Sequence, residues 1–466
     1  MDSVALIIDN PKRDLDGLLL VALHLACRGI RVFLVPMYEQ GYDVPRLRPV
    51  VVVLNYARPQ NRELVAGYRA LGVTTCVLDT EGGVLSVSGQ DAPETWAHTF
   101  RDQGWPDLID DYFFWGSAIR DAFAVHAGMK RGRLHLTGCP RYDLCVAPWD
   151  EALGRDARSY VLVNTNFSAI NPRFTGSAEV ERKLFLEGGW DSAYVERLFR
   201  EWKTVFPRYL EAVVELARRC PRRRILVRPH PFEKADPYLE RFSGLSNVTV
   251  SGEGNVLSVI RRADCVIHLN CGTAVEANLM GRDPLSMEFL NSEFLRRHSP
   301  LPSEVSIPAR DVEDLCHLVE DAEARTRRVP VRAERLRRLE PWFHKPDGRA
   351  AERVAEVLEK LAHRGRKCSR SRAAVVRGTR QDASLAQRAQ GMSCMLFGSY
   401  AVNRARAWFV VQRREKALIA NAAQARIAEL ARAGGLEVPR VRRARSATGL
   451  PLASLEVLPA KGVEAS

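Results

Sequence analysis

Residues 265–280 read CVIHLNCGTAVEANLM, and their pattern decides the fold. Residues 265–269 form an apolar, β-branched run of strand length. Asn270-Cys271-Gly272 is a small-residue turn, and residues 273–280 carry helical spacing. A strand that passes through a tight turn into a helix is one half of a βαβ unit, and such units stack into a parallel sheet.

The same grammar extends outward in both directions. Upstream, residues 160–165, 225–228 and 248–251 predict further strands, and 285–287 predicts one downstream. An amphipathic helix is expected over 193–219 and a shorter one over 256–262. An earlier series predicts strands at 4–9, 31–36, 50–56, 73–79, 112–115 and 134–137, with helices at 15–27, 62–71 and 117–126. Gly138-Cys139-Pro140-Arg141 and the polar stretch 149–159 break the pattern. The expected fold class is therefore α/β, with two Rossmann-like domains, 1–150 and 151–363, facing each other across a cleft. Residues 311–362 read as Arg/Glu-rich helices interrupted at Glu340-Pro341-Trp342. Residues 364–466 read as a basic, Arg/Ala-rich extension, helical or disordered, with 403–433 as one helix.

Charge is divided as sharply as pattern. The whole chain of 466 residues carries a formal +13, but residues 364–466 hold 20 basic and 6 acidic side chains. That leaves 49 basic against 50 acidic in residues 1–363, so the body is near neutral and a nucleic-acid-binding role for the whole chain is excluded. The start, Met1-Asp2-Ser3-Val4, lacks a cationic signal region, and no apolar run approaches the ~20 residues of a membrane span. A cytoplasmic body with buried, reduced cysteines is expected.

Open α/β sheets bind ligands beyond the carboxyl ends of their strands, so the loops there carry the chemistry. Arg228-Pro229-His230-Pro231 follows the strand at 225–228. Its two prolines stiffen a loop presenting a guanidinium and an imidazole, both donors to phosphate oxygens. In the turn at 270–276, Asn270, Gly272 and Thr273 suit an anion at a helix start, and Glu276 suits a ribose or a helix cap. Asn164-Thr165-Asn166 follows the first strand of the second domain. In the first domain Asp79-Thr80-Glu81-Gly82-Gly83 offers carboxylates beside flexible glycines, the residue type of a general base. Asp9-Asn10-Pro11-Lys12-Arg13-Asp14 follows the first strand, with Asp14 a candidate helix cap. Neither GxGxxG nor GxxxxGK[ST] is present, which removes the main support for dinucleotide and P-loop readings.

Taken together, these loops resemble a known group. IIDNPKRDLDG at residues 7–17, DTEGG at 79–83, FFWGSAIRD at 113–121 and GCPRYD at 138–143 resemble bacterial surface-carbohydrate biosynthesis proteins. RPHP and NCGTAVEANLMG are similar to the His-Pro and Ser/Thr motifs of GT-B glycosyltransferases of capsule and lipopolysaccharide. These include sialyl- and Kdo-transferases that use CMP-sugars and, more distantly, CDP-glycerol glycerophosphotransferases. The resemblance covers residues 1–360. It implies a metal-independent, inverting transfer from a nucleotide-sugar, taken as substrate and not as cofactor. His230 would act on the donor phosphate and Thr273 would contact it, within a donor site of Arg228, Pro231, Asn270, Gly272, Glu276 and 164–166. Glu81 would be the base, with Asp79 the second candidate, beside an acceptor side of Asp9, Asn10 and Arg13. Cys271-Gly272-Thr273 departs from the paired Ser/Thr hydroxyls of that motif.

The expected partners are a nucleotide-sugar donor and a glycan or lipid-linked glycan acceptor, with no nucleic acid. Trp408 and Phe409 beside Arg404, Arg406, Arg413, Arg414 and Lys416 suit peripheral contact with the inner face of a cytoplasmic membrane. Alternatives are a nucleotide-sugar 2-epimerase, a CDP-glycerol-type glycerophosphotransferase and a non-catalytic glycan-assembly protein.

Overall fold

In the computed structural model, residues 2–82, 93–154, 158–365 and 385–459 are described. The chain divides into two units: residues 1–83, 93–152 and 342–466 make the first, and residues 84–92 and 153–341 the second.

The first unit holds an eight-stranded sheet in the order β13-β14-β2-β1-β3-β4-β5-β6. Six strands are parallel: β1 (Ser3–Ile8), β2 (Arg31–Pro36), β3 (Val51–Leu54), β4 (Thr74–Leu78), β5 (Asp111–Phe114) and β6 (Leu134–Leu136). Every residue of β1 is buried, which is why its sequence is an unbroken apolar run with no alternation. The helix Pro11–Cys27 starts four residues earlier than its periodicity predicts. Pro11 at the first helical position and Asn10, whose side chain accepts from Lys12 N–H, set that start. Asn10, and not Asp14, is the cap; Asp14 Oδ2 instead accepts from Asn10 N–H at 2.9 Å.

Two strands lie outside the expected pattern. β14 (Pro451–Leu458) pairs antiparallel with β2, in register Leu455 to Leu34, and β13 (Arg440–Arg445) closes the edge. The extension over 364–466 is thus part of the first unit, not an appendage, although residues 366–384 lie outside the described set. In β13, Arg440, Arg442 and Arg445 are exposed while Val441 and Ala444 are buried. This is the charged alternation that keeps a sheet edge from pairing further. The single helix expected over 403–433 is instead three: Ser399–Phe409, Val411–Glu415 and Ala420–Ala433. The interruption at Val410 and at 416–419 brings cations inward: Arg413 pairs with Glu39 at 2.7 Å and Lys416 with Asp9 at 2.8 Å. Arg426 grips Asp16 at 2.8 Å.

The boundary expected at 363/364 falls at 341/342. Asp143, buried, accepts from Ala350 N–H at 2.9 Å and Ala351 N–H at 2.7 Å, and so caps the helix Ala350–Arg364 onto the first unit. Trp149 Nε1–H donates to Gly348 O at 2.7 Å beside it. The GCPRYD segment therefore acts as a clasp, and burial pushes the Asp143 carboxyl up to about 7. Pro341 does not break its helix, which runs through it from Arg332 to Phe343.

The second unit carries a six-stranded parallel sheet, β12-β11-β10-β7-β8-β9: β7 (Tyr160–Asn164), β8 (Ile225–Arg228), β9 (Val248–Val250), β10 (Ala263–His268), β11 (Asp283–Ser286) and β12 (Ile307–Pro308). The helix Ser192–Arg219 lays Tyr209, Val213 and Leu216 against Val161, Val163 and Val227. Each such fully buried side chain contributes roughly 1.5–3 kcal/mol. Buried Arg335 and Arg325 tie their helices to β10 and β11 through Asp264 and Asp283, and Arg335 also reaches Asn278 on the helix Thr273–Leu279. Among the described residues no helix is long and apolar enough to cross a membrane.

Candidate active site

In the second unit, β7 is followed outward on one side by β8 and β9, while β10 returns to the opposite side of β7. The point where strand order reverses lies between β7 and β10, the place where open α/β sheets commonly bind ligands. The loops that sequence reading singled out meet here. Asn164 Nδ2, at the end of β7, donates to Thr273 Oγ1, after β10, at 2.9 Å. Asn166 Nδ2 donates to Asn270 O at 3.0 Å. Asn270 adopts φ +51°, a left-handed turn held by Asn291 and by Ser303 Oγ, 2.9 Å from its Oδ1.

Next to them, β8 delivers the loop 229–231. His230 N–H donates to Thr165 Oγ1 at 3.0 Å, and Phe232 N–H donates to His230 Nδ1 at 3.3 Å. With Nδ1 accepting, the neutral ring carries its proton on Nε2. Thr165 in turn donates to buried Glu233 at 2.7 Å, which also accepts from Phe167 N–H at 2.5 Å and from Tyr238 Oη–H. No cation is among the neighbours that set its proton affinity, and burial lifts the carboxyl to about 7. Sequence reading missed Glu233, although its place three residues after His230 was available. Missed too was His268, fully buried between Ser306 Oγ at 2.8 Å and Cys271 N–H at 3.3 Å, with burial driving it down to about 3.

Two residues expected at the donor are engaged within the fold. Arg228 was assigned to a donor phosphate, but it is buried and its Nη1 and Nη2 donate to the carbonyls of Glu253 and Gly254, the latter at 2.7 Å. It holds the loop after β9 against β8. Thr273 accepts from Asn164 and donates to Cys271 Sγ at 3.2 Å, so its hydroxyl stitches two loops. Gly272 sits at the cap position of the helix Thr273–Leu279 and supplies no side chain, so Glu276, buried one turn on, completes no capping box. Pro231 is exposed beside the His230 loop.

The first unit repeats the geometry. Its strand order reverses between β1 and β3, and Asp9, Asn10 and Arg13 leave β1 at that point. Arg13 bridges three carboxylates: Asp14 at 2.7 Å, Asp9 at 2.9 Å and Glu81 at 3.2 Å. Arg58 reaches Glu81 at 3.3 Å and Asp79 at 3.8 Å. Burial works against the charge on Arg13, yet its three carboxylate neighbours outweigh it. Glu81 is half exposed between two guanidinium groups. Asp79 is 2% exposed, and Glu81 N–H donates to its Oδ1 at 2.9 Å; burial lifts Asp79 to about 6 against the pull of Arg58. Gly83, the last residue of that motif, lies outside the described residues.

Two units built on largely parallel sheets, each carrying its polar loops where its strand order reverses, define an α/β protein of Rossmann-like domains. No protein-family model matches the chain by sequence, and no curated protein does. Among solved structures, a variant of the wall teichoic acid polymerase TagF is similar over 78% of this chain and 89% of its own, at 11% identity and TM-score 0.50. The UDP-GlcNAc 2-epimerase of Methanocaldococcus jannaschii is similar over 77% of this chain and 99% of its own, at 12% identity and TM-score 0.47. That of Neisseria meningitidis, bound to UDP-GlcNAc, covers 77% and 100%, at 11% identity and TM-score 0.45. At 11% identity the likeness to TagF is one of fold.

Proposed function

We propose that the protein is a glycosyltransferase of surface-glycan assembly. It moves a sugar from a nucleotide-activated donor, with a CMP-sugar favoured, to a growing polysaccharide or lipopolysaccharide acceptor, with inversion and without a metal. The observation that carries this reading is His230. Its ring is fixed by Phe232 N–H and its backbone by Thr165, on a loop beside the point of strand reversal where such sheets bind nucleotides. In the proposed reaction the acceptor oxygen bonds to the anomeric carbon as the bond from that carbon to the donor phosphate breaks. His230 Nε2–H stabilises the charge developing on the departing phosphate. Asp79 takes the acceptor's proton, a role that its burial and its position near 6 support better than they would for Glu81, which two arginines engage.

The exposed pair Trp408 and Phe409, next to exposed Arg404 and Arg414, supports contact with an anionic bilayer that carries a lipid-linked acceptor. The test is a thermal-shift and turnover panel with CMP, CDP, UDP and GDP and their sugars or glycerol, with and without acceptor. Transfer that requires acceptor and disappears in His230→Ala and Asp79→Ala is the expected result. Turnover of a nucleotide sugar without acceptor identifies an epimerase, and transfer from CDP-glycerol alone a glycerophosphotransferase. Full transfer by both variants removes the proposal.

A further inference from the structure

In the first unit a small cavity opens between the ends of β1, β3, β4 and β5, lined by Leu18, Leu54, Leu78, Asp79, Trp115 and Arg141 among others. Two of its polar atoms are buried without a hydrogen-bond partner: Asp79 Oδ2 and Trp115 Nε1, on side chains 2% and 5% exposed. Native interiors rarely leave such atoms unmatched, and an orphaned pair in one cavity points to a missing partner. Edge-to-face packing on Tyr142 and contact with Phe343 hold the Trp115 ring in place. The buried Tyr112 phenol lies next to Asp79, and its interaction with that carboxylate, after burial, pushes the phenol up.

The chemistry of the pair selects the ligand. A carboxylate oxygen accepts only and an indole N–H donates only. A cation would satisfy Asp79 and leave Trp115 unmatched, and an anion would do the reverse. A hydroxyl group donates to the first and accepts from the second. Leucine walls suit the C–H faces of a sugar or polyol carbon chain. Gly82 guards the approach: a Cβ there would sit 3.4 Å from Asp79 Cβ and 3.5 Å from Trp115 Nε1. We propose that this cavity binds a hydroxyl of a sugar or polyol, through donation to Asp79 Oδ2 and acceptance from Trp115 Nε1. The inference rests on the reading of Asp79 as the acceptor-side base, and makes Trp115 the residue that orients the hydroxyl for it.

The test uses full-length protein labelled with 15N-tryptophan, with the Trp115 indole resonance assigned through Trp115→Phe. Glycerol and methyl β-D-glucopyranoside are the probes, and 1,4-dioxane, which has no hydroxyl, is the control. Expected is a saturable shift of the Trp115 indole signal with both probes and none with dioxane. Asp79→Asn weakens that binding about tenfold or more, the effect of losing a hydrogen bond to a charged group. Gly82→Ala, which adds a methyl at ordinary contact distance, abolishes the shift while leaving the melting temperature in place. An indole signal unmoved by both probes, or moved equally in Gly82→Ala, overturns the proposal. Nucleotide thermal shifts on the same samples separate the two readings. Nucleotide binding without a polyol response defeats this inference alone. A polyol response with no nucleotide binding defeats the donor reading and leaves this one standing.

Discussion

Thr165→Val separates contact from positioning at the donor side. Thr165 is 2% exposed, so its hydroxyl is not available to a ligand; it spends itself on Glu233 at 2.7 Å and on His230 N–H at 3.0 Å. Valine keeps the shape and deletes both bonds. A hydrogen bond to a buried carboxylate is worth roughly 1.5–3 kcal/mol and a neutral one about 1 kcal/mol, so a loss of about 2–4 kcal/mol in stability is expected. Glu233 moves further up, because the Thr165 hydroxyl is one of the groups drawing it down. Once the His230 backbone is released, nucleotide affinity should fall about tenfold, the equivalent of roughly 1.4 kcal/mol. Urea unfolding and calorimetric titration with CMP and CDP measure the two effects. Thr165→Ser keeps the hydroxyl and should bind nucleotide as the native protein does. Wild-type affinity in the valine variant, or weak binding in the serine variant, would refute the positioning role.

Three further outcomes follow from particular contacts. Glu233 titrates near 7 in the fold against an ordinary 4.5, so the folded state holds its proton more tightly and stability falls as pH rises between those values. The whole effect is about 3 kcal/mol, and Glu233→Gln should lack it, so a difference between variant and native protein that is the same at pH 5 and pH 8 contradicts the assignment. Alanine normally strengthens a helix, yet Gly17→Ala should destabilise by about 1–3 kcal/mol, because its Cβ would lie 2.7 Å from Arg141 N and 2.9 Å from its Cα; a raised melting temperature would contradict this. Truncation near His363 would remove β13 and β14 from the sheet, so the membrane reading is tested by Trp408→Ser with Phe409→Ser, which should lose sedimentation with anionic liposomes and keep the native melting temperature. Unchanged liposome binding would dismiss that surface.

Much of the architecture was legible because its signals are local. An apolar run, a turn and a 3.6-residue period are each contained in some fifteen residues, and β8 and the helix Ser117–His126 fall where the pattern places them. The loops carrying His230, Asn270 and Asp79 were found for the same reason, since an α/β sheet puts them at strand ends whatever the rest of the chain does.

What the tertiary structure alone decided was which groups those side chains meet. Arg228 looks like a phosphate ligand until the carbonyls of Glu253 and Gly254 come within reach of it. The +13 charge reads as a free basic tail until Arg413, Lys416 and Arg426 find Glu39, Asp9 and Asp16, partners roughly 370 to 410 positions earlier in the chain. The sequence by itself determined two α/β units and the strand-end loops that carry polar chemistry, because neighbouring residues encode them. Whether a given cation is free for substrate or consumed in holding the fold depended on chain closure, for β14 lies beside β2 only after more than four hundred residues have folded between them, and no local pattern records that pairing.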